Sequence, residues 1–365
     1  MNEAAPAPSG GMNAEALFRL ARTEGVGPAL HRRLLALHGG PEAAVAALGP
    51  RAFPRDAARR EMEALARRGA HLLFLGHPPY PPLLALIEDA PLLLAAEGDL
   101  AALDAPAVAL VGARNASALG RRFAEDLADA LAARGVAVVS GLARGIDAAA
   151  HEGALRSGRT IAAVAGGLDR PYPAENARLQ ARIASEGGLV LSEAPLGAAP
   201  LARHFPRRNR IVAGLSLGVV VVEAALQSGT LITARLAAEA GRELYAVPGH
   251  PLDPRARGAN DLIKRGARLV ESAADVLDHL PATPTAAPLL RLAELPEPPA
   301  EEGEEAPPPL GIAAQVLESM AGAPISVDEL GRRCQLSRSQ LAAALLELEL
   351  EGRIQTLPGN RVAPL

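Results

Sequence analysis

Tryptophan is absent from this chain, and aromatic residues make up only 2% of its 365 positions. Any core must therefore be built mostly from Ala, Val and Leu, which supply much of the 49% apolar content. The single cysteine, Cys334, excludes an intrachain disulfide and a cysteine-based metal cluster. Lysine is nearly missing too: Lys264 stands alone, and the rest of the 37 basic residues are Arg. Arg suits bidentate phosphate contacts better than Lys does, although codon usage in a GC-rich genome accounts for the overall excess. No apolar run reaches membrane-spanning length, and the opening M-N-E-A-A-P-A-P-S-G-G lacks the charged-then-apolar pattern of a signal peptide. A cytoplasmic protein with no membrane partner is the expectation. The net charge of −4 argues against a uniformly basic nucleic-acid binder. Much of that charge, however, lies in Glu294, Glu297, Glu301, Glu302, Glu304 and Glu305, so a basic surface elsewhere must be local.

What the chain does contain is a run of short apolar segments from Val108 to Val247, alternating with helix-length amphipathic ones. Ala107–Leu110, Val136–Asp147, Ile161–Asp169, Leu189–Glu193, Gly218–Glu223 and Leu244–Gly249 read as strands with their following loops, and Leu119–Arg134 as a helix. This alternation implies an α/β fold, a parallel-rich Rossmann-like sheet covered on both faces. Ligands of such sheets bind at the carboxyl ends of the strands.

Four loops fall there. Gly112 to Gly120 hands a strand to a helix, with Arg114 able to meet an anion and Ser117 able to cap the helix or donate to phosphate. Ser140, Gly141 and Arg144 repeat the recipe, followed by Asp147 and His151 on one helical face. That pair could be a metal or acid–base pair, but no nucleophile or third ligand has matching spacing, so a structural role is expected. Gly166 and Gly167 suit either close approach of a ligand or a sharp turn, and Ser228, Gly229 and Thr230 open a further helix. Each loop alone is explained equally well by an ordinary turn; together they suit a polynucleotide backbone better than one small nucleotide. The densest cationic cluster, Arg203 to Arg210, places Phe205 among Arg207, Arg208, Asn209 and Arg210, combining phosphate-pairing groups with a stacking surface. It abuts an apolar segment, where unpaired Arg would be costly.

Flanking segments read as separate units: a flexible start over residues 1–11, a helical domain over 12–69, the sheet domain over 70–280, a Pro/Glu/Ala-rich linker over 281–309 and a small domain over 310–365. In the helical domain, Ala14–Ala21 and Ala29–Leu37 are joined through Gly25-Val26-Gly27-Pro28, and Arg55–Arg68 forms a further helix. This turn resembles helix-hairpin-helix modules, whose N–H groups can hold phosphate, although an ordinary helical hairpin also needs glycine there. The tail reads as helix (Ala313–Met320), helix capped by Ser326 or Asp328, helix (Leu336–Gly352, capped by Ser337) and hairpin (Arg353–Thr356 with Arg361–Ala363), a winged helix. Its third helix carries Glu347, Glu349 and Glu351, which favours protein contact over reading duplex DNA.

Taken in order, V-G-A-R-N-A-S, S-G-L-A-R-G-I-D-A-A-A-H, G-G-L-D-R-P-Y-P-A-E-N, F-P-R-R-N-R-I-V-A-G-L-S, S-G-T-L-I-T-A and A-V-P-G-H resemble the DNA-processing protein A (DprA, or Smf) family from about Leu110 to Val270. Leu196 and Ala256 depart from it, standing where Pro and Ser are expected. The resemblance implies an extended Rossmann-like domain that binds single-stranded DNA, protects incoming strands as in natural transformation, and helps load RecA while displacing single-strand-binding protein. It implies no catalytic residue, cofactor or metal, weaker duplex binding, and a homodimer formed near Asn260, Leu262, Ile263 and Leu269. By motif, Arg114 and Arg207 to Arg210 would meet phosphate, Phe205 a base, and the glycine loops would supply N–H donors. Two other classes stand beside it. One is a nucleoside-monophosphate-binding or -hydrolysing protein with Glu223 catalytic, although Glu223 precedes the Ser228 loop instead of following it. The other is a winged-helix transcription regulator.

Overall fold

The computed structural model describes residues 13–282, Met320, residues 325–334, Leu341, Leu345, Leu348, residues 354–357 and residues 361–364. The chain divides into two compact units, Met1–Ala293 and Glu294–Leu365. The expected flexible start, most of the linker, and the helix cap at Ser337 lie outside the described residues.

The first unit begins with α1 (Ala14–Arg22), α2 (Pro28–His38), α3 (Pro41–Leu48) and α4 (Arg55–Arg67). Asn13 caps α1 by accepting from the Ala16 N–H at 3.0 Å. One face of α1 buries Ala16 and Leu20 against Ala44 and Val45 of α3. The other buries Leu17 and Phe18 against Phe74, Leu93 and Leu65, so the helices and the sheet share a core.

Nine strands then build one sheet: β1 (His71–Phe74), β2 (Leu93–Gly98), β3 (Ala107–Val111), β4 (Ala137–Ser140), β5 (Thr160–Val164), β6 (Leu189–Ser192), β7 (Gly218–Val221), β8 (Glu243–Ala246) and β9 (Arg268–Leu269). Their spatial order is β1-β2-β6-β5-β4-β3-β7-β8-β9. From β6 to β9 all neighbours are parallel, while β1 and β2 extend the sheet antiparallel, β2 pairing Ala95 with Ser192. The helices that follow are α5 (Pro82–Ala85), α6 (Ala118–Ala132), α7 (Ile146–Ser157), α8 (Ala177–Ser185), α9 (His204–Leu215), α10 (Thr230–Glu239), α11 (Arg257–Lys264) and α12 (Ala273–Leu277).

Strand side chains alternate between the two faces. Ala107, Ala109 and Val111 enter the core under α9, α10 and α11, whereas Val108 and Leu110 enter the core under α6, α7 and α12. Small residues at these positions let the helices sit close, which answers the scarcity of aromatics. Strand order reverses at β3, whose successors run to β4 on one side while β7 lies on the other. Such a reversal opens a crevice at the carboxyl ends of the strands. No described helix is long and apolar enough to cross a membrane.

In the second unit β10 (Ile325–Ser326), α13 (Val327–Cys334), β11 (Ile354–Leu357) and β12 (Arg361–Pro364) surround a core that includes Leu330, Leu341, Leu348 and Val362. The cap falls to Ser326, whose Oγ accepts from the Glu329 N–H at 3.2 Å. β12 pairs with both β10 and β11, antiparallel.

Candidate nucleic-acid interface

The crevice at the reversal is real: a cleft of ≈ 830 Å³ is lined by Gly112, Arg114, Asn209, Ser228, Gly229 and Thr230, among others. It runs into a smaller cavity of ≈ 120 Å³ lined by Gly141, Arg144, Gly166, Arg170, Tyr172 and Arg208. Phe205 and Arg114 line both. Four strand-end loops and the first turns of α9 therefore meet along one crest.

At its centre the Arg114 guanidinium lies 5.2 Å from the centroid of the Phe205 ring. On another side Tyr172 meets that ring edge-on, with centroids 5.6 Å apart. Arg114 is exposed and Tyr172 is 49% exposed, so cations and aromatic edges face solvent together. Tyr172 is missing from the expected residues. Its signal was present in P-Y-P-A-E-N, but nothing local says that this loop reaches Phe205, thirty-odd positions on.

Beneath the crest the molecule supplies its own anions to two of the glycine loops. The Asp147 carboxylate accepts from the Gly141 N–H at 3.2 Å and the Ala143 N–H at 3.4 Å. Glu223 accepts from the Ser117 N–H at 2.9 Å and the Ser117 Oγ–H at 2.6 Å. Ser117 Oγ in turn accepts from the Gly120 N–H, so its role is the helix cap and not a phosphate contact. Ser140 is buried and donates to the Leu110 carbonyl at 2.6 Å, and the Thr230 hydroxyl donates to the Gly112 carbonyl at 3.0 Å while Ser228 donates to Thr230. These three hydroxyls knit the loops together, Ser140 from within and Ser228 and Thr230 from the half-buried wall of the cleft.

Several glycines likewise serve internal packing. A Cβ at Gly112 would come within 2.5 Å of Ile146 Cγ1, and one at Gly141 would sit on the Arg208 guanidinium. Those at Gly166 and Gly167 would crowd the backbone of Ala198 and Pro195, whereas Gly229 has open space around it. Leu142, buried with φ +55°, is the one non-glycine at positive φ among the described residues. Asn176 holds this loop by donating to the Leu142 and Ala143 carbonyls at 3.0 and 3.2 Å, which explains the Asn that closes P-Y-P-A-E-N.

The arginine cluster splits. Arg208 and Arg210 are buried on the inner side of α9; Arg207 is exposed, 3.7 Å from Glu193. Arg208 lies 3.9 Å from Asp147 and donates to the Ala163 carbonyl at 3.4 Å. Arg210 is held by Glu193 at 2.6 Å and Asp89 at 3.2 Å, so it is not a free phosphate contact as the motif suggested. Arg144, by contrast, is exposed and paired with Glu175 at 2.6 Å. Burial raises the Asp147 carboxyl against the opposing pull of Arg208 and lowers the Arg208 guanidinium against that of Asp147.

His151 does not pair with Asp147. Its Nδ1 meets Thr160 Oγ1 at 2.7 Å, and burial, helped by Arg208, pushes it down to about 3. Among the described residues no group of three His, Cys, Asp or Glu is placed to hold a metal. Glu223, tied to Ser117, offers no free base beside the Ser228 loop.

Comparison with known proteins agrees with this architecture. Residues 71–281 match the family described as DNA recombination-mediator protein A, residues 13–64 a DprA-like N-terminal HHH domain, and residues 296–360 the DprA winged helix domain. Protein Smf of Escherichia coli (strain K12) is 40% identical over 314 residues, covering 85% of this chain and 82% of that protein. The X-ray structure of DNA processing protein A from Streptococcus pneumoniae aligns with a TM-score of 0.64 and 36% identity over 74% of this chain and all but 1% of that one, which is 99% covered. DNA processing protein A from Helicobacter pylori, whose structure is described as giving insight into its single-stranded DNA binding mode, aligns with a TM-score of 0.53 and 32% identity, covering 58% of this chain and 95% of that one. With its sheet domain, N-terminal helices and winged helix all matched, the chain belongs to the DprA/Smf family of DNA recombination-mediator proteins.

Proposed function

We propose that this protein binds single-stranded DNA along the crest of its sheet and acts as a recombination mediator. The observation that carries this reading is Phe205 set between Arg114 and Tyr172 at the mouth of an arginine-lined cavity. A base stacks on an aromatic face without regard to sequence, while neighbouring cations meet the phosphates on either side. Single strands expose their base faces; a duplex does not. Arg114, Arg144 and Arg207 are the exposed cations that meet phosphate, and Arg208 sets the floor from below.

The protein acts by holding DNA, without catalysis or cofactor, in the cytoplasm. Handing the strand to RecA, displacing single-strand-binding protein and pairing into a homodimer complete the role. Leu269, 45% exposed on the edge strand β9, supports the dimer. Leu262 and Ile263 sit half-buried behind it, and Asn260 braces the Gly249 backbone in both directions at 3.1 and 2.8 Å. The hydrolase reading is not favoured, because Glu223 is committed to Ser117.

Fluorescence anisotropy with labelled oligo-dT and a matched duplex, across a salt series, tests the reading. Tighter binding to the single strand, a steep loss with salt and at least tenfold weaker binding by Arg114→Ala (about 1.4 kcal/mol) are expected. Equal binding by wild type and variant, or indifference to single strands, would remove the crest as the DNA site.

A further inference from the structure

Arg144 lines the central cavity of the crest, but its partner Glu175 lines a different space. That space, of ≈ 520 Å³, is a groove over the first half of α7, with α6 on one side and α8 on the other. The run R-G-I-D-A-A-A-H creates it. Gly145, Ala148 and Ala149 line the groove, and none has a side chain long enough to fill the gap between the flanking helices. Gly145 is held to glycine by its φ of +75°, since a Cβ there would strike the Ala113 carbonyl oxygen.

Charge in the groove does not cancel. Glu125, Glu152 and Glu175 line it, and each is matched by an arginine: Arg156 at 2.5 Å, Arg182 at 2.6 Å and Arg144 at 2.6 Å. Arg182 also meets Glu186, at 3.1 Å. Arg121 of α6 and Arg178 of α8 line the same groove and are exposed, and neither has an ion-pair partner among the described residues. The excess is therefore positive and is carried from both flanking helices. At the boundary with the central cavity, the Arg144 and Glu175 side chains are 60% and 52% exposed. An ion pair so open to water contributes little, so a phosphate arriving from the cavity can displace Glu175 from Arg144.

Resting on the single-strand reading above, we propose that this groove is a second phosphate-binding segment of the DNA track. A strand leaving the Phe205 cavity passes Arg144 and enters the groove over α7, where Arg121 and Arg178 meet its next phosphates. The ligand is the phosphodiester backbone alone, because the groove presents no aromatic face to a base.

Full-length protein and two oligo-dT lengths, about 4 and about 16 nucleotides, the span of known single-strand site sizes, provide the test. The variant is Arg121→Ala with Arg178→Ala; both side chains are exposed and unpaired, and an unchanged melting midpoint checks that the fold is kept. Arg134→Ala, exposed just past the other end of α6, is the control for charge removed elsewhere. The double variant should bind the short oligomer as wild type does and the long one about fivefold more weakly, on the scale of two exposed charge contacts. Its salt slope for the long oligomer should be shallower by about 1.4, two single-strand phosphates at about 0.7 each. An unchanged affinity for the long oligomer overturns the site, as does a groove that takes inorganic phosphate but not the strand. An equal loss at both lengths, or the same loss with Arg134→Ala, overturns it too. Failure of wild type to bind either length overturns the single-strand reading itself, and this inference with it.

Discussion

Arg207 and Arg208 are neighbours in sequence, yet α9 sends one outward and the other into the protein, and their surroundings differ accordingly. The exposed Arg207 lines the clefts beside Glu193, while Phe205 faces Arg114 and Tyr172 across the central cavity, whose rim solvent reaches and whose wall includes Arg208. The inner side carries Arg208 at 6% exposure, Asp147 at 9% and the fully buried His151. Outside, the ion pairs of Arg207 with Glu193 and of Arg144 with Glu175 lie in reach of solvent; inside, charge has been matched within the protein and shapes the loops above. A run of arginines thus divides into a solvent-exposed side and a buried scaffold, and only three-dimensional placement tells them apart.

The division can be broken from the inside first. Arg208→Ala leaves Asp147 buried without its cation, and removing one partner of a buried pair costs about 3–5 kcal/mol; urea unfolding should show a loss of that size, with single-strand binding lost only as the fold is lost. Native-like stability of this variant would mean that Arg208 is not scaffold. A second measurement follows from His151, whose value in the folded protein is about 3 against 6.5 when unconstrained. Above pH 6.5 neither state holds the proton, so this residue's contribution is fully present. Between 6.5 and 3 only the unfolded chain takes it up, and stability falls by about 1.4 kcal/mol per pH unit. His151→Asn should flatten that slope while leaving DNA binding at pH 7 unchanged; an unchanged slope would place the titration elsewhere. The smallest expected effects lie outside. Phe205→Ala should weaken oligo-dT binding by about 1–3 kcal/mol with the melting midpoint unchanged. Arg207→Ala should make the salt slope shallower by about 0.7, one single-strand phosphate. A fall in stability with either would erase the contrast.

Much of this was legible in the residues. Apolar runs placed the starts of the parallel strands β3 to β8 within a residue, because strands buried on both faces need no polar alternation; the two-residue β9 showed no such run. Loop chemistry placed the crest, since glycines and capping hydroxyls cluster where strands hand over to helices. The helix Pro41–Leu48 was missed: P-E-A-A-V-A-A-L has too little contrast between faces to show a period. Pairing of β2 with β6 was also out of reach, because it joins segments about a hundred residues apart with no local signature. At the site, Arg114 and Phe205 came from motif chemistry and a structural role was expected of Asp147, whereas the Glu223 carboxylate that holds the Ser117 loop gave no such signal. An anion-receptive loop looks the same in sequence whether its anion is a ligand or a carboxylate from the protein itself.

The lack of tryptophan turns the binding surface into its own optical probe. Of the three tyrosines, Tyr80 and Tyr245 are buried, and Tyr172 alone is open to solvent, against Phe205. Soluble quenchers therefore reach one emitter, at the place where a base would stack, and occupancy of the crest is readable from unlabelled protein.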